Sequence, residues 1–163
     1  KMDNLGASKV EEAKKRAIGI NSDAKITTIE RFLTKENFHD IIHENYDYII
    51  DACDDIPIKI ELIKYANQNH IKIISSLGTG RKLDPTKLSI TTLNKTFNDP
   101  LAKKLRYELK HENIDLKIPV VFSSEEAIKT ENVVGSAIFV PATAGILLAN
   151  YVFIDIIKSQ HNL

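Results

Sequence analysis

Most of the residues able to do chemistry lie between Tyr46 and Pro85. This stretch reads YDYIIDACDD, then a helical segment, then IKIISSLGTGRKLDP. Asp51, Asp54 and Asp55 cluster where an apolar run gives way to a helix start. Carboxylates placed there can hold Mg²⁺, a hard cation that takes a few protein oxygens beside phosphate ligands. Asp55 also suits a helix N-cap and Asp51 a turn. Asp54 has no such local role and is left as the candidate functional carboxylate of the three. Ser75 to Gly80 follow the second apolar run, where small residues and Gly78 and Gly80 let the backbone approach a ligand or turn sharply. A Gly-x-Gly alone often marks only a turn. Arg81 and Lys82 add local positive charge.

Lys9 stands at the start of a predicted helix. A cation there opposes the helix dipole by roughly 0.3 kcal/mol or more, which makes sense if a phosphate binds the free N–H groups. The plain alternative is a solvated surface lysine in a lysine-rich helix. Cys53 lies beside Asp54, but a thiol nucleophile needs an activating base. His39, His43, His70, His111 and His161 show no pairing with it, so a small apolar filler is the expected role. No histidine-based metal site is expected.

These residues need strands and helices to position them. Ser8 to Glu11 fits a capping box, and Val10, Ala13, Ala17 and Ile18 share one face of a helix over about 8–20. Residues 25–32 alternate and read as a strand; 35–44 read as a short helix capped by Thr34. Residues 46–52 and 71–76 read as buried parallel strands. Between them runs a helix capped by Asp55, with Pro57 in its first turn. Residues 88–93 form a further candidate strand. Asp99-Pro100 starts a helix to about Glu112, and Pro119 to Ser123 is another strand. Val133 to Ile157 is long and apolar enough for a membrane span. Pro141, Asn150 and Asp155 interrupt it, so the expectation is a strand over 136–140 followed by a core or dimer-interface helix over 142–158, with no membrane.

The order strand, helix, strand, helix, strand implies a parallel α/β sheet. The expected fold is Rossmann-like, a mostly parallel sheet with flanking helices, incomplete at its N-terminus and ending in a mixed extension. No glycine-rich phosphate loop precedes the first helix. The 163 residues suffice for a single domain with a proper core. Their formal net charge of zero shows no general electrostatic pull toward nucleic acid. Lys103, Lys104, Arg106 and Lys110 form a local basic patch. One cysteine excludes an internal disulfide and paired Cys-x-x-Cys zinc motifs, and suits a reducing cytoplasm.

IIDACDD, SSLGTGRKLDPTKLSITTLNKT, DPLAKKLRYELK and GSAIFVPATAG resemble the tRNA threonylcarbamoyladenosine dehydratase (TcdA/CsdL) family. That family lies within the larger ThiF/MoeB/HesA superfamily related to ubiquitin-activating enzymes. The resemblance runs from GASKVEEAKKRAIGIN to the final helix. It implies ATP and Mg²⁺ as cofactors and activation of a carboxylate, generally by adenylylation. In the dehydratase branch that carboxylate belongs to the threonyl group on a modified adenosine beside the tRNA anticodon, and cyclisation with loss of water follows. By position, the resemblance makes Asp54 the aspartate of the Mg-ATP site and Lys9 the lysine on the nucleotide phosphates. Gly78 and Gly80 become the glycine-rich strand end beside the active site. Arg81, Lys103, Lys104 and Arg106 become candidates for tRNA phosphates. It also implies a homodimer, and a cysteine desulfurase or sulfur-acceptor system as a further partner.

The family's first strand, glycine-rich loop, ribose-binding acidic residue and Asn-Arg-Gln motif do not appear in these residues. The chain as given is therefore expected to bind ATP weakly or not at all. Two alternatives stand beside the dehydratase: adenylylation of a ubiquitin-like sulfur carrier, and a non-catalytic scaffold. The first usually goes with paired Cys-x-x-Cys motifs.

Overall fold

The computed structural model describes residues 4–42, 46–129 and 135–161. They form two compact units, Lys1–His43 and Glu44–Leu163. In the first unit, α1 (Lys9–Ile20) starts after Ser8, but the Ser8 side chain makes no cap bond. Glu11, the expected partner in a capping box, instead accepts from the Thr28 hydroxyl, while Glu12 binds Lys15. No residue of α1 is buried, so its apolar stripe stays only half-covered. Residues 25–32 have no ladder partner among the described residues, so the strand expected there is absent. Alternation favours an extended chain, but a strand also needs a neighbour to hydrogen-bond. The next helix, α2 (Phe38–Ile41), is shorter than expected. Thr34 N donates to Asn37 Oδ1 at 2.8 Å and Asn37 N donates to Thr34 Oγ1 at 3.4 Å. This polar turn delays the helix to Phe38. His43 and Glu44 lie outside the described residues.

The second unit is built on a four-stranded sheet of β1 (Tyr48–Asp51), β2 (Lys72–Ser76), β3 (Leu88–Thr92) and β4 (Pro119–Ser123). Their spatial order is β1-β2-β4-β3. The first three in that order run parallel and β3 runs antiparallel to β4. This is the mostly parallel α/β architecture with a mixed end that the strand and helix order implies. The period of two explains how β4 serves both faces. Val120 and Phe122 pack with Ile63 of α3 (Ile56–Gln68) and with Leu105 and Leu109 of α4 (Pro100–His111). Val121 points the other way and packs with Ile74, Ala144 and Leu148. Leu105 and Leu109 are fully buried, a contribution of roughly 2 kcal/mol each.

The last helix, α5 (Phe139–His161), supplies that second face. No strand forms over 136–140, contrary to expectation, because the helix begins before Pro141 and absorbs it. The first N–H groups of a helix have no intrahelical partner, so proline in the first turn loses nothing. Val133 and Val134 lie outside the described residues. By length and composition α5 could cross a membrane. One stripe of it, Val140, Ala144 and Leu148, is buried on the sheet, whereas Ile146, Phe153 and Ile156 are exposed.

Candidate functional site

Three parallel strands bring their carboxyl ends to one edge of the sheet, the usual ligand side of an open α/β fold. β1 ends in Asp51, whose neighbour across the ladder is Ser75 of β2. Asp51 Oδ2 accepts from Lys59 Nζ at 2.8 Å, and both side chains are completely buried. Its Oδ1 accepts from Cys53 N at 3.1 Å and Cys53 Sγ at 3.0 Å. Both oxygens are thus engaged within the fold, and Asp51 is no ligand for a metal. Lys59 lies on the buried face of α3 with Ile58, Leu62 and Ile63. A lysine inside an apolar helical stripe was the available signal for this pair, and sequence reasoning passed over it. Asp55 caps α3 as expected, accepting from Ile58 N at 2.9 Å. Asp54 is exposed between them, and no described group engages its carboxylate.

Cys53 fits the filler role. Burial, reinforced by the adjacent Asp51 carboxylate, pushes its thiol up to about 12. A thiol ordinarily ionises near 8.5, so at pH 8 this one stays protonated. Alkylation by iodoacetamide at pH 8 is expected to run at least roughly a hundredfold slower than for an exposed cysteine, since the thiolate is the reactive form. Labelling at the rate of a free thiol, followed by mass spectrometry, would contradict this environment.

β2 feeds the glycine loop. Leu77 N donates to Val121 O at 2.9 Å, holding the loop's start on β4. Arg81 sits in the left-handed region at φ 61°. Its N–H donates to Gly135 O and its carbonyl accepts from Ile128 N, both at 2.8 Å. Glu125 accepts from Leu83 N and Asp84 N. Lys82 is buried, with Nζ donating to Ser123 O at 3.1 Å. Burial lowers its pKa, against the opposing pull of Asp99 and Glu125. Gly78 and Gly80 border a cavity of about 330 Å³ whose far wall is Asp99 to Leu101. Asp99 is the N-cap of α4, its Oδ1 accepting from Ala102 N at 3.0 Å. A Cβ on Gly78 would lie 3.5 Å from Asp99 Oδ2, an ordinary contact.

The expected basic residues divide. Arg106 Nη1 donates to Thr96 O at 3.0 Å, to Leu93 O at 3.4 Å and to the Thr96 hydroxyl. Through Nη1 the guanidinium therefore fastens the segment before α4. Lys103 and Lys104 are exposed on α4. Lys103 borders a second cavity of about 550 Å³ beside Asp99.

Lys9 belongs to the first unit. It is exposed at the first position of α1 and borders a cavity of about 500 Å³ with Ser8, Ile29 and Arg31. Ser8 Oγ is buried without a partner. A helix N-terminus, two cations and an unsatisfied hydroxyl suit an anion such as a phosphate. No group of three or more His, Cys, Asp or Glu side chains is poised for a metal among the described residues.

The ThiF family model matches residues 1–101. The chain is 32% identical over 175 residues to a Bacillus subtilis (strain 168) protein, tRNA threonylcarbamoyladenosine dehydratase, covering 96% of the chain and 69% of that relative. It is 35% identical over 133 residues to the Escherichia coli (strain K12) protein of the same name, covering 77% of the chain and 50% of that relative. The crystal structure of the E. coli enzyme in complex with ATP superposes with a TM-score of 0.90 at 31% identity. That match covers 99% of the chain and 69% of the solved one.

Proposed function

The chain belongs to the ThiF family, among the tRNA threonylcarbamoyladenosine dehydratases, and we propose that it carries part of an ATP-dependent enzyme that dehydrates this nucleoside in tRNA. One observation carries the reading: the likeness to the ATP-bound E. coli enzyme extends over 99% of the chain. The chemistry needs activation, because a carboxylate is a poor electrophile and its oxygen a poor leaving group. When bound, ATP supplies the leaving group and Mg²⁺ offsets phosphate charge.

The chain's own residues bind and orient. Lys9, Arg31 and the N-terminus of α1 suit the phosphates. Asp54, exposed and unengaged at the end of β1, is the carboxylate available to the cation. Gly78 and Gly80 keep side chains out of the path of a substrate approaching the same sheet edge. Arg81, Lys103 and Lys104 suit tRNA phosphates. The exposed apolar side of α5, with Ile146, Phe153 and Ile156, suits pairing of two copies.

The test uses tRNA from a strain lacking its native dehydratase, incubated with the full-length gene product that carries this chain, ATP and Mg²⁺. Mass spectrometry of the digested tRNA is expected to show ATP-dependent loss of one water from threonylcarbamoyladenosine. Retention of that water, with ATP bound, would overturn the reading in favour of sulfur-carrier activation. Retention without ATP binding would favour a scaffold.

A further inference from the structure

The loop that carries Gly78 and Gly80 runs between two cavities. One, of about 330 Å³, lies against Gly78 and Asp99. The other, of about 340 Å³, lies against Leu83, Ile128 and Gly135, and Lys82 borders both. Open space on both sides removes packing partners, so directed bonds hold the loop. Leu83 N and Asp84 N each donate to the Glu125 carboxylate at 3.0 Å. Lys82 Nζ donates the other way, to Ser123 O at 3.1 Å. Each segment thus lends one charged side chain to the backbone of the other. Between these fastenings Arg81 is held at φ 61°, with its own N–H and carbonyl bonded to Gly135 and Ile128. A side chain disfavours that conformation, which persists where the surrounding bonds fix it.

Lys82 is poorly suited to be a plain fastener. It is 3% exposed, and its one hydrogen bond among the described residues goes to a neutral carbonyl. Asp99 and Glu125 act on its charge, but neither is ion-paired with it among the described residues. Burying an ammonium on those terms is unfavourable. A local rule broken at the edge of a site points to a functional need. In the sequence Lys82 reads as positive charge beside Arg81, because nothing local shows which of the two turns inward.

We propose that Lys82 and Glu125 are positioning residues, whose reciprocal clasp holds Gly78, Gly80 and Arg81 in the arrangement that the dehydration needs at the carboxyl edge. The clasp rests on the dehydratase reading and adds to it two residues distinct from Lys9, Arg31 and Asp54. Neither touches the substrate. Both act through the loop, so losing either displaces groups at the edge without removing one.

The experiment uses the full-length gene product that carries this chain. Lys82→Met keeps the bulk but drops the charge and the bond to Ser123 O. Glu125→Ala releases the N–H groups of Leu83 and Asp84. Each is expected to lower kcat for ATP-dependent loss of water from threonylcarbamoyladenosine roughly tenfold to a hundredfold, the scale of a small misplacement. The KM for ATP is expected to stay within about twofold of wild type, since the nucleotide contacts are untouched. Glu125→Gln keeps an oxygen for the two N–H groups and is expected to recover most of the loss. The double variant Lys82→Met/Glu125→Ala is expected to lose no more than the worse single, as groups that act as a unit do. Thermal melting separates this role from a structural one. Lys82→Met is expected to melt at or above the wild-type midpoint, because a poorly partnered buried charge is gone. Wild-type kcat in both single variants would overturn the clasp alone. So would a loss in Lys82→Met that comes with a lowered midpoint, or losses that multiply in the double variant. A wild type that binds ATP and dehydrates no tRNA would overturn the clasp together with the dehydratase reading.

Discussion

In the complete enzyme, Asp54→Ala is expected to reduce ATP-dependent loss of water from threonylcarbamoyladenosine by roughly a hundredfold or more, the scale of losing a group that supports charge at a reacting centre. The fold should not notice. Asp54 is exposed and unengaged, while its neighbours do the local structural work: Asp51 in the ion pair and Asp55 in the cap. Surface substitutions of this kind stay within about 0.5 kcal/mol. Turnover by tRNA mass spectrometry and a thermal melt, run side by side, check both halves. Wild-type turnover would remove Asp54 from the site, and an unfolded variant would mean the loop has a structural role that its exposure hides.

The larger effect on stability is expected from the pair beneath that loop. Lys59→Met leaves the Asp51 carboxylate buried and unpaired, a change that typically costs about 3–5 kcal/mol. That is a large share of the roughly 5–15 kcal/mol that holds a domain together. The pair is not expected to be a strong net stabiliser, because desolvating two charges consumes most of their attraction. The double variant Asp51→Asn/Lys59→Met should therefore recover much of the loss, since the introduced amide oxygen still accepts from Cys53 N. Urea unfolding of the single and double variants measures this directly. A Lys59→Met protein within about 1 kcal/mol of wild type would show that water reaches the pair. Activity should fall with stability in Lys59→Met, because Asp51 anchors the turn that presents Asp54.

The elements around the site were legible where local signals and packing agree. Asp55 and Asp99 cap their helices as expected, and β4 spans Pro119–Ser123 as its apolar run implies. The reading failed where one local pattern allowed two outcomes. Pro141 reads as a breaker, yet in a first turn it is neutral, so 136–140 gave no strand. Residues 25–32 alternate, but alternation cannot supply a pairing partner. That Asp54 has no local structural partner was legible by elimination. The structural bonds of Arg106 were not, because a basic residue on an amphipathic helix looks solvent-facing until Leu93 and Thr96 are seen to turn their oxygens toward it. Asp51–Lys59 and Asp99–Gly78 join positions that only the sheet brings together.

The strand order has one more consequence. β1, which carries the acidic turn, is an outermost strand, and on its far side no described strand pairs with it. It is short and β-branched, with Ile50 48% exposed. Such a border offers a row of free N–H and C=O groups to any extended peptide that arrives. The antiparallel border, β3, is better guarded, entered through Pro85 and flanked by Lys87 and Lys95. The strand that presents the acidic turn thus keeps a hydrogen-bonding edge on which a neighbouring strand can extend the sheet, so whatever pairs there also helps to fix the position of Asp54.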